Sequence, residues 1–164
     1  MTRVAVTGHR DLPEPTCKLV SAAIATHLGR FDSIDGISSL AEGADQIFAE
    51  QVLRAGGALT AVVPSAHYTR SFETIAGNAT YRRLRAQAKE VIELPFGTPS
   101  EEAYWAAGKR VVGLAEVLLA VWDGTPSQGV GGTADVVASA GERGVPTTIV
   151  WPPGSRRHQR ERAR

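Results

Sequence analysis

Short apolar runs alternate with amphipathic segments along almost the whole of this 164-residue chain, and that alternation leaves few folds open. A run that is apolar at every position, rather than at every second one, is a strand buried on both faces. Such strands belong to parallel sheets covered by crossover helices. Six of them stand at positions 3–7, 34–40, 58–63, 90–94, 116–122 and 147–151. The expectation is one α/β domain over residues 1–153, a mostly parallel sheet of about six strands with helices on both faces.

The intervening segments carry helical spacing. Leu19, Val20, Ile24 and Leu28 share one face, as do Ile47, Phe48, Val52 and Leu53. Thr98-Pro99-Ser100-Glu101 reads as a capping box with proline at the first helical position, opening a helix through Tyr104, Ala107 and Val111. Thr133 can cap a last helix and Gly144 can end it. The stretch from His67 to Lys89 is longer than a crossover needs. It carries Arg70, Arg82, Arg83, Arg85 and Lys89, with Tyr81, Leu84 and Ala88 on one helical face. One reading is a solvated basic helix; the other is a lid that brings Tyr68 and Arg70 to an anionic ligand.

Composition narrows the setting. Apolar residues make up 43% and charged residues 21%, ordinary for a water-soluble domain, and no run is long enough to span a membrane. Met1-Thr2-Arg3 passes directly into the first strand without a signal-peptide pattern, so the expectation is a cytoplasmic protein without membrane partners. Cys17 is the sole cysteine, which excludes an intrachain disulfide and a cysteine-rich zinc site. The net charge of +1 hides an asymmetry. Arg156, Arg157, Arg160, Arg162 and Arg164 face only Glu161 between residues 154 and 164, so the body is mildly acidic and the end reads as a basic, flexible tail.

In an open parallel sheet, ligands bind beyond the carboxyl ends of the strands. The first strand ends in Thr7-Gly8-His9-Arg10, where Gly8 permits close approach and His9 and Arg10 supply donors for an anion. The second ends in Glu42-Gly43-Ala44-Asp45, with Glu42 suited to hydroxyl binding or acid–base work. The fifth ends in Trp122-Asp123-Gly124, with Trp122 either core or a stacking wall. Gly131-Gly132-Thr133 then opens a helix whose unpaired N–H groups suit phosphate. Asp135, in that helix's first turn, either points away or contacts sugar hydroxyls. Neither a P-loop nor a nucleophile elbow is present.

These motifs, Val6-Thr7-Gly8-His9-Arg10, Ala41-Glu42-Gly43-Ala44-Asp45, Val121-Trp122-Asp123-Gly124 and Gly131-Gly132-Thr133-Ala134-Asp135, together resemble the SLOG superfamily. The likeness is to its branch of YspA-like and molybdenum-cofactor-carrier-like proteins. It implies a single Rossmann-like domain, a homo-oligomer, and a crevice that binds a nucleotide or nucleotide-derived ligand as a sensor or carrier. No cofactor beyond that ligand is expected, and a divalent metal is left open. The LOG branch implies a second reading, an N-glycosidic-bond hydrolase or transferase of the phosphoribohydrolase type, with Glu42, Asp135 and His9 as catalytic candidates. Its motif glutamate falls on Val136 here, so the sequence leaves enzyme and binding protein both open. Nucleic-acid binding ranks third, because the body is acidic.

Overall fold

The computed structural model describes residues 1–158. Six parallel strands form one sheet: β1 (Thr2–Gly8), β2 (Ile34–Ser38), β3 (Ala58–Val63), β4 (Glu90–Glu93), β5 (Val117–Val121) and β6 (Thr147–Ile149). They lie in the order β4-β3-β2-β1-β5-β6. The chain therefore winds outward from β1 to β4, then crosses back to place β5 on β1's other side. Val4 is in register with Gly36 of β2 and with Val117 of β5, and Gly8 lies opposite Val121. The point where the winding reverses is the gap between β1 and β5, and it opens at their carboxyl ends.

Side-chain alternation along each strand feeds two cores. Val4 and Val6 with Leu119 and Val121 pack beneath α1 (Glu14–Leu28) and α2 (Ala44–Arg54). Ala5, Ile37, Val62 and Leu118 point the other way, beneath α4 (Glu101–Leu114) and α5 (Thr133–Glu142). A third cluster joins Leu59, Ala61 and Val63 of β3 to Tyr68, Tyr81 and Leu84, seating α3 (Ile75–Gln87). The apolar runs are continuous because both sides of each strand are covered.

Local chemistry sets the boundaries. In α1 the buried stripe is Thr16, Val20, Ile24 and Leu28, while Leu19, expected on that face, is 38% exposed. The strand predicted to reach residue 40 stops at Ser38, and Leu40 turns to φ 58°. The helix through Tyr104 starts at Glu101 with Ser100 as its cap, the hydroxyl accepting the Ala103 N–H at 3.0 Å, so the cap lies two residues beyond the predicted Thr98. Gly132, rather than Thr133, caps α5, and Gly144 at φ 69° follows its end.

After β6 the chain returns to the β1 loop and the start of α1 through His158. The Arg156 N–H donates to Thr16 Oγ1 at 3.0 Å and the His158 N–H to the Asp11 carbonyl at 2.9 Å. The tail residues Arg160, Glu161, Arg162 and Arg164 lie outside the described residues.

Candidate functional site

A cavity of about 1100 Å³ occupies the crevice above β1, β2 and β5. Its floor is the β1 turn, Gly8, His9 and Arg10; its sides come from the loops opening α2 and α5. Gly8 is there for packing. A methyl group on it would lie 2.5 Å from Ala44 Cβ and 2.7 Å from Val121 Cβ, so its absence lets α2 close onto the strand end. Gly43, at φ 82°, has the His9 and Arg10 carbonyls where a Cβ would stand, at 2.6 and 2.7 Å. Only glycine fits that turn.

Arg10 reaches over the Tyr104 ring, 5.6 Å from its centroid, in cation–π contact. Its charge lies in the field of Tyr68, Tyr104, Asp45 and Glu42. Asp45 is buried at the start of α2, and burial raises its carboxyl to about 7 even though the Ala41 N–H donates to it at 3.3 Å. Tyr68 is buried in the 3-10 turn Tyr68–Ser71, where desolvation pushes its phenol upward and its ring meets Phe72 and Tyr81 edge to face. Arg70, on the same turn, is exposed and does not line the cavity.

The two candidate catalytic carboxylates already have partners. Glu42 lines the cavity, but its oxygens accept the Glu73 N–H at 2.7 Å and the Thr74 hydroxyl at 2.6 Å. Asp135 turns back to accept the Gly131 N–H at 2.8 Å, a third arrangement beyond the two expected for it, and does not line the cavity. Val136, at the position of the hydrolase glutamate, is buried in the core beneath α4. Among the described residues the N–H groups of Gly132, Thr133 and Ala134 have no acceptor, and these three residues line the cavity.

His9 is buried, its ring edge-on to Trp151 at 5.7 Å. Nε2 faces Asp123 Oδ1 at 3.0 Å and the Asp123 N–H at 3.1 Å, so either neutral tautomer finds its partner on that residue. Burial and then the Arg157 charge lower the imidazole's pKa, which favours the neutral ring. For Asp123, burial works upward, but the Thr125 hydroxyl at 2.6 Å, the Thr125 N–H at 3.0 Å and His9 bring the carboxyl down to about 2. Asp123 and Gly124 stand behind the cavity wall rather than on it. Trp122 likewise gives its indole N–H to the Thr125 carbonyl at 2.8 Å and lines nothing.

Several lining residues were not singled out in the sequence. Tyr104 carried only a helical-face signal, and Ser127, Gln128 and Val130 lie in a loop without periodicity. Arg157 and His158 had been read as tail. Among the described residues, no group of three or more His, Cys, Asp or Glu side chains could hold a metal ion. No helix among them is long and apolar enough to cross a membrane.

No family model and no curated protein matches the chain. Solved structures do. DNA processing protein A from Streptococcus pneumoniae superposes with TM-score 0.68 at 20% identity, over 91% of this chain and 50% of that one. The likeness shows the fold, a Rossmann-like α/β domain on a six-stranded parallel sheet. DNA processing protein A from Helicobacter pylori, described for its single-stranded DNA binding mode, gives 0.65 at 16% identity over 90% of this chain and 64% of that one. The molybdenum cofactor carrier protein of Chlamydomonas reinhardtii gives 0.57 at 16% identity over 93% and 78%. The present chain thus spans half to under two thirds of the DNA processing proteins it matches. At these identities the likeness shows architecture alone, and the site must be read from its own residues.

Proposed function

We propose that this SLOG-type domain binds an anionic, nucleotide-derived small molecule in the crevice between β1 and β5. One observation carries the reading. The same cavity holds a cation stacked on an aromatic ring, Arg10 on Tyr104, and the start of α5, where the N–H groups of Gly132, Thr133 and Ala134 have no acceptor among the described residues. The helix terminus suits a phosphate group, and the Tyr104–Arg10 pair suits a flat heterocycle or a second anionic group. That solved relatives of this fold include molybdenum cofactor carriers supports small-molecule binding in the same sense.

Binding is favoured over N-glycosidic cleavage because Glu42 and Asp135 are each engaged by backbone donors and Val136 is core. Single-stranded DNA is the weaker alternative, since three cations of the basic segment already have carboxylate partners while Arg82 donates to the Asn78 amide oxygen. Arg83 pairs with Glu50, Arg85 stands 3.8 Å from Glu93, and Lys89 stands 2.8 Å from Asp35.

Thermal shift with AMP, GMP, NAD, cyclic nucleotides and ADP-ribose tests the reading. A ligand at 100 times its Kd stabilises by about 2.7 kcal/mol. Arg10→Ala and Tyr104→Ala should abolish the shift. No shift across the panel, with salt-sensitive binding of single-stranded DNA, would transfer the assignment to nucleic acid. Release of free base from a nucleotide would instead establish the hydrolase. The homo-oligomer implied by the resemblance is a separate proposal, decided by sedimentation of the purified chain.

A further inference from the structure

We infer that Arg157 is a positioning residue of the crevice, and that the segment through His158 is a built part of the site rather than an appendage. The β1 loop and the β5 loop form the two sides of the switch point, and beyond the Gly8–Val121 register they are joined only near His9, by its N–H on the Val121 carbonyl at 3.1 Å and by its Nε2 on Asp123 at 3.0 Å, among the described residues. Arg157 reaches both walls. Its Nε donates to Asp11 Oδ1 at 2.9 Å and Oδ2 at 3.1 Å in the β1 loop, and its Nη1 stands 3.8 Å from Asp123 Oδ2 in the β5 loop. Its side chain is 28% exposed, and Arg157 lines the cavity with His158.

What Arg157 touches governs what the site presents. Asp123 is the hub of the β5 loop, since its Oδ1 accepts from the Thr125 N–H and hydroxyl and meets His9 Nε2. Thr125 begins the loop that runs along the cavity to Gly131 and Gly132. A cation between Asp11 and Asp123 offsets the repulsion of the two carboxylates, and so holds the β1 and β5 loops at their spacing. The segment is anchored for that task by Arg156 N–H on Thr16 and His158 N–H on Asp11, and by Trp151 against the His9 ring. Four contacts from one short stretch, all on groups around the β1 loop, are more than a frayed end makes.

The test uses the full chain in three forms: wild type, Arg157→Gln and Arg157→Lys. The first readout is the His9 imidazole titration by NMR without ligand. The charged groups facing His9 are Asp123, Asp11 and Arg157, so removing the cation while keeping both carboxylates should raise the His9 midpoint. Arg157→Lys, which keeps a point charge, should hold it near the wild-type value. The Thr125 and Gly131 amide resonances should move in Arg157→Gln and largely return in Arg157→Lys. The second readout rests on the ligand reading above. AMP affinity should fall roughly five- to tenfold in Arg157→Gln, as expected for losing a charge-assisted brace behind the site. A wild-type His9 titration and unmoved Thr125 amide in Arg157→Gln would overturn the inference. If wild type bound no nucleotide, the ligand reading alone would fail, and the ligand-free titration would still decide the role of Arg157.

Discussion

The carboxylate of Glu42 and the hydroxyl of Thr74 stand 2.6 Å apart and bind the loop after β2 to the start of α3. Thr74 in turn accepts the Gly77 N–H at 2.9 Å, so Glu42 supports the residue that caps the helix. A methyl group on Gly77 would run into the Glu42 carboxylate. In a helix, alanine is ordinarily better than glycine by about 1 kcal/mol, and Gly77 is buried in the first turn of α3. Gly77→Ala is therefore expected to destabilise wild type and to stabilise a Glu42→Ala background. Urea unfolding of the four proteins of this double-mutant cycle checks the change of sign.

Gly8→Ala should destabilise through overpacking, by about 1–3 kcal/mol, because Ala44 Cβ, Val121 Cβ and the Val121 carbonyl all lie within 3 Å of the new carbon. The loss should appear in the denaturant midpoint with or without nucleotide. An unchanged midpoint would mean that α2 can move off the strand end.

Asp45 should make the fold less stable as pH rises. Its carboxyl moves from an ordinary 3.8 to about 7 on folding, so the folded state holds its proton more tightly than the unfolded chain does. Stability from this group is full below about pH 4, declines between there and about 7, and is lost above that. Asp45→Asn should flatten that part of the melting temperature–pH profile and raise the melting temperature at pH 8 relative to wild type. Asp123, at about 2, acts in the opposite sense, contributing above pH 4 and failing only in strong acid.

Ser155→Ala should be neutral or stabilising by up to about 1 kcal/mol, since the Ser155 hydroxyl is buried without a hydrogen-bond partner among the described residues. Calorimetry of this variant, beside Arg157→Gln, separates the packing of the segment from its charge. A clear loss of stability would reveal a partner for that hydroxyl.

The strands were legible because burial on both faces writes itself as an uninterrupted apolar run, and all six fell within a few residues of where they lie. Their ends were less so, since Leu40 and Gly132 owe their positions to backbone geometry that composition does not encode. The crevice was legible as well, because Gly8, Gly43 and Gly131 mark turns at strand ends whatever packs around them. Pairings were not. His9 finds Asp123 across 114 positions, and Asp11 finds Arg157 across 146. Arg83 and Lys89 looked like an uncompensated basic face because Glu50 and Asp35 reach them from other elements. Local reading registers charge but not the distant group that answers it.

β1 pairs with β2 soon after it in the chain, and with β5 only after α2, β3, α3, β4 and α4 have passed. As the polypeptide emerges from the ribosome, the half built from β1 to β4 can form while the other border of β1 still lacks its neighbour. Val4, Ala5 and Val6 then stand as an uncovered apolar edge, a template for adhesion to other chains. Folding speed and yield should accordingly depend on how soon Val117–Val121 arrives. Substitutions that weaken β5 would then surface first as insoluble protein during expression, before any defect in binding could be measured.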